Sequence, residues 1–281
     1  MNSNPITTIE EGTFQNMPLL HRVLLQGCNI STIETGAFMT LPNLQYLYLD
    51  NNQITTIQKG AFKDLPALRY IRLYNNQITA IPRGIFDDLK ALTNLWLYNN
   101  QITAIPRGIF DDLKALTNLD MQNNQITTIQ HGAFQNLPAL QILNLRGNNV
   151  TFVKNDTFEH NTNLQYLYLD LVCDCNFPLW SWLKSKSWLN DAVICLDRDD
   201  IKLSSLQESD FDNCTFTDDL CYPEYCSNGG SCSHNSYGDL VCSCVSGWTG
   251  TTCTGMDMYK GRTTTAYFDT LPATLIGKST W

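Results

Sequence analysis

The feature that most constrains the fold is an internal repeat of 24 residues that runs through more than half of the chain. Its clearest instance is a stretch of 22 residues at 74–95 that recurs without a change at 98–119. Self-similarity with a fixed period of about 20 to 50 residues is typical of stacked-repeat architectures. The sequence therefore predicts an array in which each unit buries its apolar side chains against its neighbours.

Apolar residues define the unit. Each unit starts with a leucine, and further aliphatic residues follow three and five positions later. The starts are Leu20, Leu44, Leu68, Leu92, Leu116, Leu140 and Leu164. Eight positions after each of the first six starts stand Cys28, Asn52, Asn76, Asn100, Asn124 and Asn148. This spacing resembles L-x-x-L-x-L-x-x-N/C-x-L, the pattern of leucine-rich repeats.

The resemblance implies a leucine-rich repeat solenoid over residues 1–163, an α/β horseshoe with a parallel β-sheet on its concave side. Aliphatic side chains are expected to alternate inward along each short strand. The repeated asparagine would bond backbone groups that otherwise lie buried and unpaired, at a cost of about 1–3 kcal/mol each. Cys28 occupies that position in the first unit. We predict a buried free thiol there, with a redox or partner-linking role as the alternative.

Eleven cysteines, ten of them after residue 172, indicate disulfide bonds. They include no Cys-x-x-Cys pair, and no histidine stands at ligand spacing, which favours disulfides over zinc. Because disulfides form in oxidising compartments, we expect a protein that is secreted or tethered at the cell surface. Glycosylation sequons fit that location and begin at Asn29, Asn149, Asn155 and Asn213.

The formal charge of −9 is concentrated between residues 191 and 220. It provides none of the basic surface that nucleic acid or anionic lipid requires. No apolar run approaches the roughly 18 residues of a spanning helix, so we expect no membrane insertion by this chain. The first residues lack the basic and apolar segments of a signal peptide, which is typical of a mature or trimmed form.

Residues 164–215 contain the last repeat strand and a cysteine-containing segment rich in tryptophan. Its large apolar residues are expected to cover the end of the solenoid rather than to form a ligand site. They are Trp180, Trp182, Leu183, Trp188 and Leu189. The segment resembles the C-terminal flank of extracellular leucine-rich repeat proteins. That resemblance implies the disulfides Cys173–Cys195 and Cys175–Cys214.

Residues 216–254 hold six cysteines together with the phrases NGG and GWTG. They resemble an epidermal-growth-factor-like (EGF-like) module, a fold too small to be stable without disulfides. The resemblance implies the pairs Cys221–Cys232, Cys226–Cys242 and Cys244–Cys253. Asp218 and Asp219 leave calcium binding as an alternative, but the usual Glu or Gln before Cys221 is missing, so we predict no metal and no cofactor. The Thr-rich residues 255–281 predict a stalk or linker.

The clearest clue to function lies in what changes between two nearly identical units. Residues 68–91 and 92–115 differ at four positions, one of which is the conservative core pair Ile71/Leu95. The other three lie in the predicted strand and point away from the core: Arg69/Thr93, Tyr70/Asn94 and Arg72/Trp96. A constant scaffold with a varied concave surface predicts a binding platform.

Along the array, Tyr, Trp and Arg concentrate on the second to fourth strands. Such side chains are enriched in binding hot spots. The predicted ligand-binding residues are Tyr46, Tyr48, Tyr70, Arg72, Tyr74, Trp96, Tyr98, Asp120 and Arg146. The alternative is that Tyr and Trp are present only because they favour strands.

The phrase NNQITAIPRGIFDDLKALTNL resembles the repeats of the variable lymphocyte receptors of jawless vertebrates. This resemblance implies antigen contact on the concave face. Those receptors have no EGF-like module, and repeats joined to such modules also resemble secreted guidance proteins of the Slit type.

No motif for catalysis is found, and the four histidines, His21, His131, His160 and His234, stand apart, so we expect no enzyme activity. Two functions are predicted. The first is an innate or adaptive-like recognition receptor that binds a microbial surface, a glycan or a protein antigen on its concave face. The second is an adhesion or guidance protein that binds a host protein. A structural matrix component is a third alternative, and a homo-oligomer is compatible with each.

Overall fold

The computed structural model describes residues 6–130, 132–150, 153, 157–171, 173, 177–186, 190–198, 200–211, 231–234, 240–244, 248–249 and 255–256. The chain divides into two compact units, residues 1–214 and 215–281. The first unit stacks its 24-residue repeats along one axis, which confirms the predicted leucine-rich repeat solenoid.

The first unit is built on a sheet of nine strands, here called the large sheet. Eight strands run parallel and the ninth is antiparallel to its neighbour. In chain order they are Arg22–Leu24, Tyr46–Tyr48, Tyr70–Arg72, Asn94–Trp96, Asn118–Asp120, Ile142–Val150, Tyr166–Leu171, Asn190–Cys195 and Ile201–Lys202. Seven strands were predicted from the repeats. The last two come from the C-terminal segment, where no repeat marks them.

Residues 24 positions apart pair across the large sheet, as in Tyr48, Arg72 and Trp96. The middle residue of each short strand is buried, and both of its neighbours face solvent. We call the exposed side the solvent face. Its three columns are Arg22, Tyr46, Tyr70, Asn94, Asn118, Ile142 and Tyr166; Leu24, Tyr48, Arg72, Trp96, Asp120, Asn144 and Tyr168; and Gln26, Asp50, Tyr74, Tyr98, Gln122, Arg146 and Asp170. In the first five repeats, the third-column residue lies two positions after the last residue of the strand.

The return arms hold turns and two-residue strands, and no helix is found in their described residues. The strands are Thr8–Ile9, Thr32–Ile33 and Thr56–Ile57 in one sheet, Ala104–Ile105 and Thr128–Ile129 in another, and Phe14–Gln15 with Phe38–Met39 in a third. Proline explains why the sheet formed by the first three of these strands ends at Thr56–Ile57. The Gln58 N–H donates to the Ile33 carbonyl at 2.8 Å, but Pro82 and Pro106, at the same position, have no N–H to donate.

A column of phenylalanine rings fills the core, with one ring in each repeat. In five of the six successive pairs the ring centroids lie 5.3 to 6.2 Å apart. The rings belong to Phe14, Phe38, Phe62, Phe86, Phe110, Phe134 and Phe158. Phe62 and Phe86 make no ring contact with each other. This gap falls between the repeat with Gln58 and the repeat with Pro82 at the equivalent position.

The repeated asparagines join each unit to the one before it. Asn76 Nδ2 donates to the Leu73 carbonyl and to the Leu49 carbonyl, both at 3.0 Å, and its Oδ1 accepts from the Ile54 N–H at 3.0 Å. Asn52, Asn100, Asn124 and Asn148 repeat this arrangement. The side chain thus satisfies backbone groups that no strand partner reaches.

Cys28 is a free cysteine, but it is half-buried rather than buried as predicted. Its thiol contacts the Gln26 carbonyl at 3.6 Å. The reason is its place in the first repeat, where less of the chain packs against the core. Leu20 and Leu25 of the same repeat are also only partly buried.

The C-terminal part of the first unit packs against the last repeats. It contains the helix Phe177–Lys184 and the 3-10 turns Leu203–Ser205 and Glu208–Phe211. Leu183 is buried, and Trp180 and Trp182 pack against the core. The Trp182 ring lies 5.7 Å from Phe158, so it extends the phenylalanine column. Trp188 and Leu189 lie outside the described residues.

The structure contains the disulfide Cys173–Cys195, with an S–S distance of 2.03 Å. The predicted pair Cys175–Cys214 lies outside the described residues. In the second unit, Ser231–His234 pairs with Leu240–Ser243 and Trp248–Thr249 with Gly255–Met256, both antiparallel. Cys242 and Cys244 each take part in a disulfide bond. The predicted partners Cys226 and Cys253, and both members of Cys221–Cys232, are beyond what the structure describes for side chains, so the EGF-like module and its boundaries stay predictions.

Within the described residues, no helix combines the length and the apolar character needed to cross a membrane.

Candidate binding face of the large sheet

Arg72 lies at the centre of an aromatic cluster on the solvent face. Its Cζ is 3.9 Å from the centroid of the Tyr48 ring and 4.9 Å from that of Trp96. Both rings are its neighbours in register, one on each adjacent strand. The guanidinium is therefore held between two aromatic rings, an arrangement that cation–π attraction favours.

A second stack runs beside the first. The rings of Tyr46 and Tyr70 are parallel within 9°, with centroids 4.9 Å apart. Arg22 lies over the Tyr46 ring at 4.7 Å, and since Tyr70 covers one face, Arg22 covers the other. Tyr70 contacts Trp96 at 6.5 Å and Tyr46 contacts Tyr48 at 6.2 Å, so the two stacks form one continuous cluster.

Tyr74 and Tyr98 form a third stack, with centroids 4.4 Å apart and an interplanar angle of 7°. Burial raises the pKa of the Tyr98 hydroxyl to about 12, and the neighbouring Tyr74 adds to the shift. Burial also raises the pKa of Tyr74, and the adjacent Asp50 carboxylate raises it further. Both hydroxyls are therefore proton donors throughout the physiological range.

Asp50 is only 3% exposed, although it belongs to a column of the solvent face. Its Oδ2 accepts from Asn51 Nδ2 at 2.8 Å, whereas its Oδ1 has no hydrogen-bond partner in the described structure. Behind Asn51 runs a ladder of asparagine side chains. Each donates from Nδ2 to the Oδ1 of the preceding one at 2.7 to 2.9 Å, from Asn123 to Asn99, Asn75 and Asn51. The ladder thus ends on the Asp50 carboxylate.

The ladder depends on an unusual backbone. Asn51, Asn75, Asn99 and Asn123 all have φ between 52° and 57°. Asparagine tolerates this left-handed region better than most residues. Gly147 ends the ladder because a Cβ there would overlap the Asn123 amide oxygen. The repeated turn therefore fixes Asp50, and with it the base of the Tyr74–Tyr98 stack.

Each of these aromatic rings has at least one face covered by a neighbouring group. Arg22 and Tyr70 cover the two faces of Tyr46, Arg72 covers one face each of Tyr48 and Trp96, and one face of Tyr74 packs against one face of Tyr98. Such a surface offers hydroxyl groups, ring edges and N–H groups to a partner. Because the side chains are already ordered, binding would cost less side-chain entropy than on a mobile surface.

The structure divides the predicted site residues into separate groups. Tyr46, Tyr48, Tyr70, Arg72 and Trp96 share the main cluster, and Tyr74 and Tyr98 form the third stack. Asp120 and Arg146 lie apart on later strands. Burial raises the pKa of the Asp120 carboxyl, whose Oδ1 accepts from the Gln122 N–H at 3.0 Å. Arg146 lies 3.8 Å from Asp170 and 5.7 Å from the Tyr168 ring.

Sequence reasoning missed the roles of Arg22, Asp50 and the asparagine ladder. Arg22 stood in the first column, but only its stacking on Tyr46 makes it part of the cluster. The signal for the ladder was present in the doubled Asn-Asn of four successive repeats. The signal for Asp50 was an acidic residue directly before the first of those pairs.

The remaining predicted sites show no chemistry of their own. Asn29 and Asn149 are exposed sequons, and Asn155 and Asn213 lie outside the described residues. Cys173, Cys195 and Asp197 are the one grouping of possible metal ligands in the described part of the chain. Their sulfur atoms are bonded to each other, and Asp197 accepts from the Cys173 N–H at 2.8 Å, so this is a structural contact.

We expect the raised tyrosine pKa values to be visible in a titration. An unperturbed tyrosine has a pKa of about 10. Because Tyr98 is protonated up to about pH 12 in the folded state, its contribution to stability is complete below about pH 10 and is lost as the pH rises through about 12. Phenolate absorbance and ring-carbon NMR shifts measure the change. Asp50→Asn should lower the pKa of Tyr74, whereas Asp87→Asn, an exposed return-arm control, should not. Titration of Tyr98 near pH 10 would contradict the expectation.

A solenoid of 24-residue units, with a repeated buried asparagine and a parallel sheet whose exposed residues vary, defines a leucine-rich repeat protein. Six copies of the BspA-type leucine-rich repeat region match this chain, over residues 1–93 and 31–165. The chain therefore belongs to the BspA-type leucine-rich repeat family. Among curated proteins, none matches this sequence.

Two solved structures are similar to this one. The crystal structure of human 5T4 (Wnt-activated inhibitory factor 1, trophoblast glycoprotein) has a TM-score of 0.59 and 24% identity, covering 75% of this chain and 86% of that one. A chain in the octameric complex of latrophilin 3, Unc5D and FLRT2, in which FLRT2 is the leucine-rich repeat component, has a TM-score of 0.55 and 25% identity. The match covers 66% of this chain and spans 59% of that one. Both likenesses show the solenoid fold.

Proposed function

We propose that this protein is a non-enzymatic extracellular recognition receptor, of the innate or adaptive-like immune type, that binds its partner on the solvent face of the large sheet. The observation that carries the proposal is the contrast between two nearly identical repeats. They share their return arm and turn, and apart from the conservative core pair Ile71/Leu95 they differ only at Arg69/Thr93, Tyr70/Asn94 and Arg72/Trp96. Three of the side chains that differ, Tyr70, Arg72 and Trp96, lie in the aromatic cluster and contact one another across the sheet.

The order of that cluster supports binding over the alternative that the aromatics only favour strands. Strand preference would explain aromatic residues on the sheet, but not a guanidinium enclosed by two of them. Arg, Tyr and Trp in such contacts are the residues that dominate binding energy at interfaces. The resemblance of the repeats to variable lymphocyte receptors favours a microbial or antigen surface as the partner.

A second function, adhesion or guidance through a host protein, is favoured by a different observation. The similar FLRT2 is found in a complex with two other proteins. The extracellular location proposed for either function agrees with the disulfide Cys173–Cys195. The two functions differ in the source of the partner and use the same face.

The test is a triple variant, Tyr70→Ala with Trp96→Ala and Tyr98→Ala, screened against bacteria, a glycan array and an extracellular protein library. We expect the variant to lose binding by about tenfold or more, since hot-spot truncations cost about 2 kcal/mol or more. The matched control replaces Gln77, Gln101 and Gln125 with alanine, three exposed residues of neighbouring repeats. Equal binding by the two variants would refute the proposed face. Binding to bacteria supports the receptor function, and binding to a host protein alone supports the second.

A further inference from the structure

Arg72 carries five N–H groups and uses none of them within the described structure. It makes no hydrogen bond and no ion pair with any described residue, and its Nε is buried without a partner. Arg146, the arginine of the third column, also has a buried Nε without a hydrogen bond, but it lies 3.8 Å from the Asp170 carboxylate. The Nη1 and Nη2 groups of Arg72 are neither buried nor hydrogen-bonded to a described residue, so they are the donors that an acceptor of a partner can reach.

The contacts of Arg72 fix the direction from which that acceptor can come. Tyr48 and Trp96 stack against the planar guanidinium and hold its orientation. The N–H groups of a guanidinium lie in its plane, so stacking leaves them available at the edge. A carboxylate can accept two of them side by side, which is the strongest arrangement for such a pair.

Charge on this part of the face favours an anion. Arg22 and Arg72 are the two cationic side chains in the solvent-face columns of the first four strands. The one acidic residue there, Asp50, is 3% exposed, whereas both arginines are more accessible. A chain with a net charge of −9 thus presents a locally positive surface. The positive charge of this surface and the free N–H groups of Arg72 both favour a partner that offers negative charge.

The covered ring faces distinguish between possible sources of that charge. Sugars bind aromatic residues mainly by lying against open ring faces, and here both faces of Tyr46 and one face each of Tyr48 and Trp96 are already covered. Ring edges, hydroxyl groups and an arginine edge suit the side chains of a folded protein. A protein partner is therefore favoured over an acidic glycan.

We propose that Arg72 forms a carboxylate-binding subsite that receives an Asp or Glu side chain of a protein partner. The proposal rests on the proposed function, because it names the chemistry of the partner for the same face. Tyr48 and Trp96 position the guanidinium, and Arg22 adds positive charge at the edge of the cluster. Arg72 itself makes the contact.

The test uses the full chain and two synthetic peptides, one of alternating glutamate and serine and one of alternating glutamine and serine. Binding is followed by the NMR signal of the Arg72 Nε–Hε group. We expect a saturable shift with the glutamate peptide and none with the glutamine peptide. Arg72→Gln should weaken binding of the glutamate peptide about tenfold or more, the loss typical of a charge-assisted pair. Arg83→Gln, which removes the same charge from an exposed return-arm position, should change it less than about twofold.

Arg72→Lys separates charge from geometry. Lysine keeps the charge but loses the planar fork, so affinity should fall between those of the natural chain and Arg72→Gln. Equal losses in Arg72→Gln and Arg83→Gln would overturn the subsite, as would the absence of a shift with the glutamate peptide. Tighter binding of polysialic acid at Arg72 would overturn the protein source of the carboxylate. Any of these results leaves the proposed function standing if the triple alanine variant still loses its partner.

Discussion

Replacing Phe110 with alanine should lower the free energy of unfolding of the first unit by about 3–5 kcal/mol. Phe110 is 1% exposed, and its ring lies 6.1 Å from Phe86 and 6.2 Å from Phe134. The substitution removes a ring from the middle of the column, so it opens a cavity against two neighbouring repeats at once. In a solenoid, stability is approximately the sum of repeat terms and neighbour terms, and this change weakens both.

Urea denaturation followed by circular dichroism measures the loss. Phe110→Leu keeps most of the apolar volume and should cost less than about 1.5 kcal/mol. Substitutions at exposed sites usually change the free energy of unfolding by less than about 0.5 kcal/mol. If Phe110→Ala costs no more than that, the ring column does not stabilise the array.

The gap in the column supplies an internal comparison. Phe86 and Phe110 are in contact, whereas Phe62 and Phe86 are not. A double-mutant cycle on Phe86 and Phe110 should therefore give a coupling energy of about 0.5–1.5 kcal/mol. The same cycle on Phe62 and Phe86 should give a smaller value.

Periodicity predicted the fold because the same spacing fixes both the core and the register. Leu47, Ile71 and Leu95 are inward in the sequence pattern and buried in the structure. A period of 24 residues with a constant strand position leaves one way to stack the units in parallel. The pairing of Tyr48 with Arg72 and of Arg72 with Trp96 follows from that stacking alone.

The contacts made by those side chains could not be predicted in the same way. Register places Arg72 between two aromatic residues, but side-chain rotamers decide whether the guanidinium stacks on them or points to solvent. Burial of Asp50 was equally hidden, because an acidic residue in an exposed column is expected to be solvated. It is covered because the asparagine ladder and Tyr74 come from later repeats.

The sequence did not predict the elements that lie outside the 24-residue period. The strands Asn190–Cys195 and Ile201–Lys202 extend the large sheet without belonging to any repeat. The return arms consist of turns and two-residue strands in the described residues, and only some of those strands pair with a neighbour. Proline at 82 and 106 then separates even those strands, since one missing N–H removes the bond between neighbouring arms.

The asparagine at the turn of each repeat should matter as much as the phenylalanine. Asn100 is 7% exposed and makes three hydrogen bonds of 3.0 to 3.1 Å with the backbone of residues 73, 78 and 97. Asn100→Ala leaves these groups without that partner in a region that water reaches poorly. Each buried unpaired group costs about 1–3 kcal/mol, so we expect a loss of roughly 3–5 kcal/mol in the free energy of unfolding.

The neighbouring residue provides the control. Gln101 is exposed, and no hydrogen bond of its side chain to another described residue is found, so Gln101→Ala should change stability by less than about 0.5 kcal/mol. Hydrogen exchange locates the effect: in Asn100→Ala, the amide of Ile78 should exchange faster, because its N–H donates to Asn100 Oδ1. If Ile78 keeps its protection, the turn is held by backbone bonds alone. The hydrogen bonds of Asn100 and its equivalents would then be a consequence of the stacked repeats, and the stability of this solenoid would come from its apolar core.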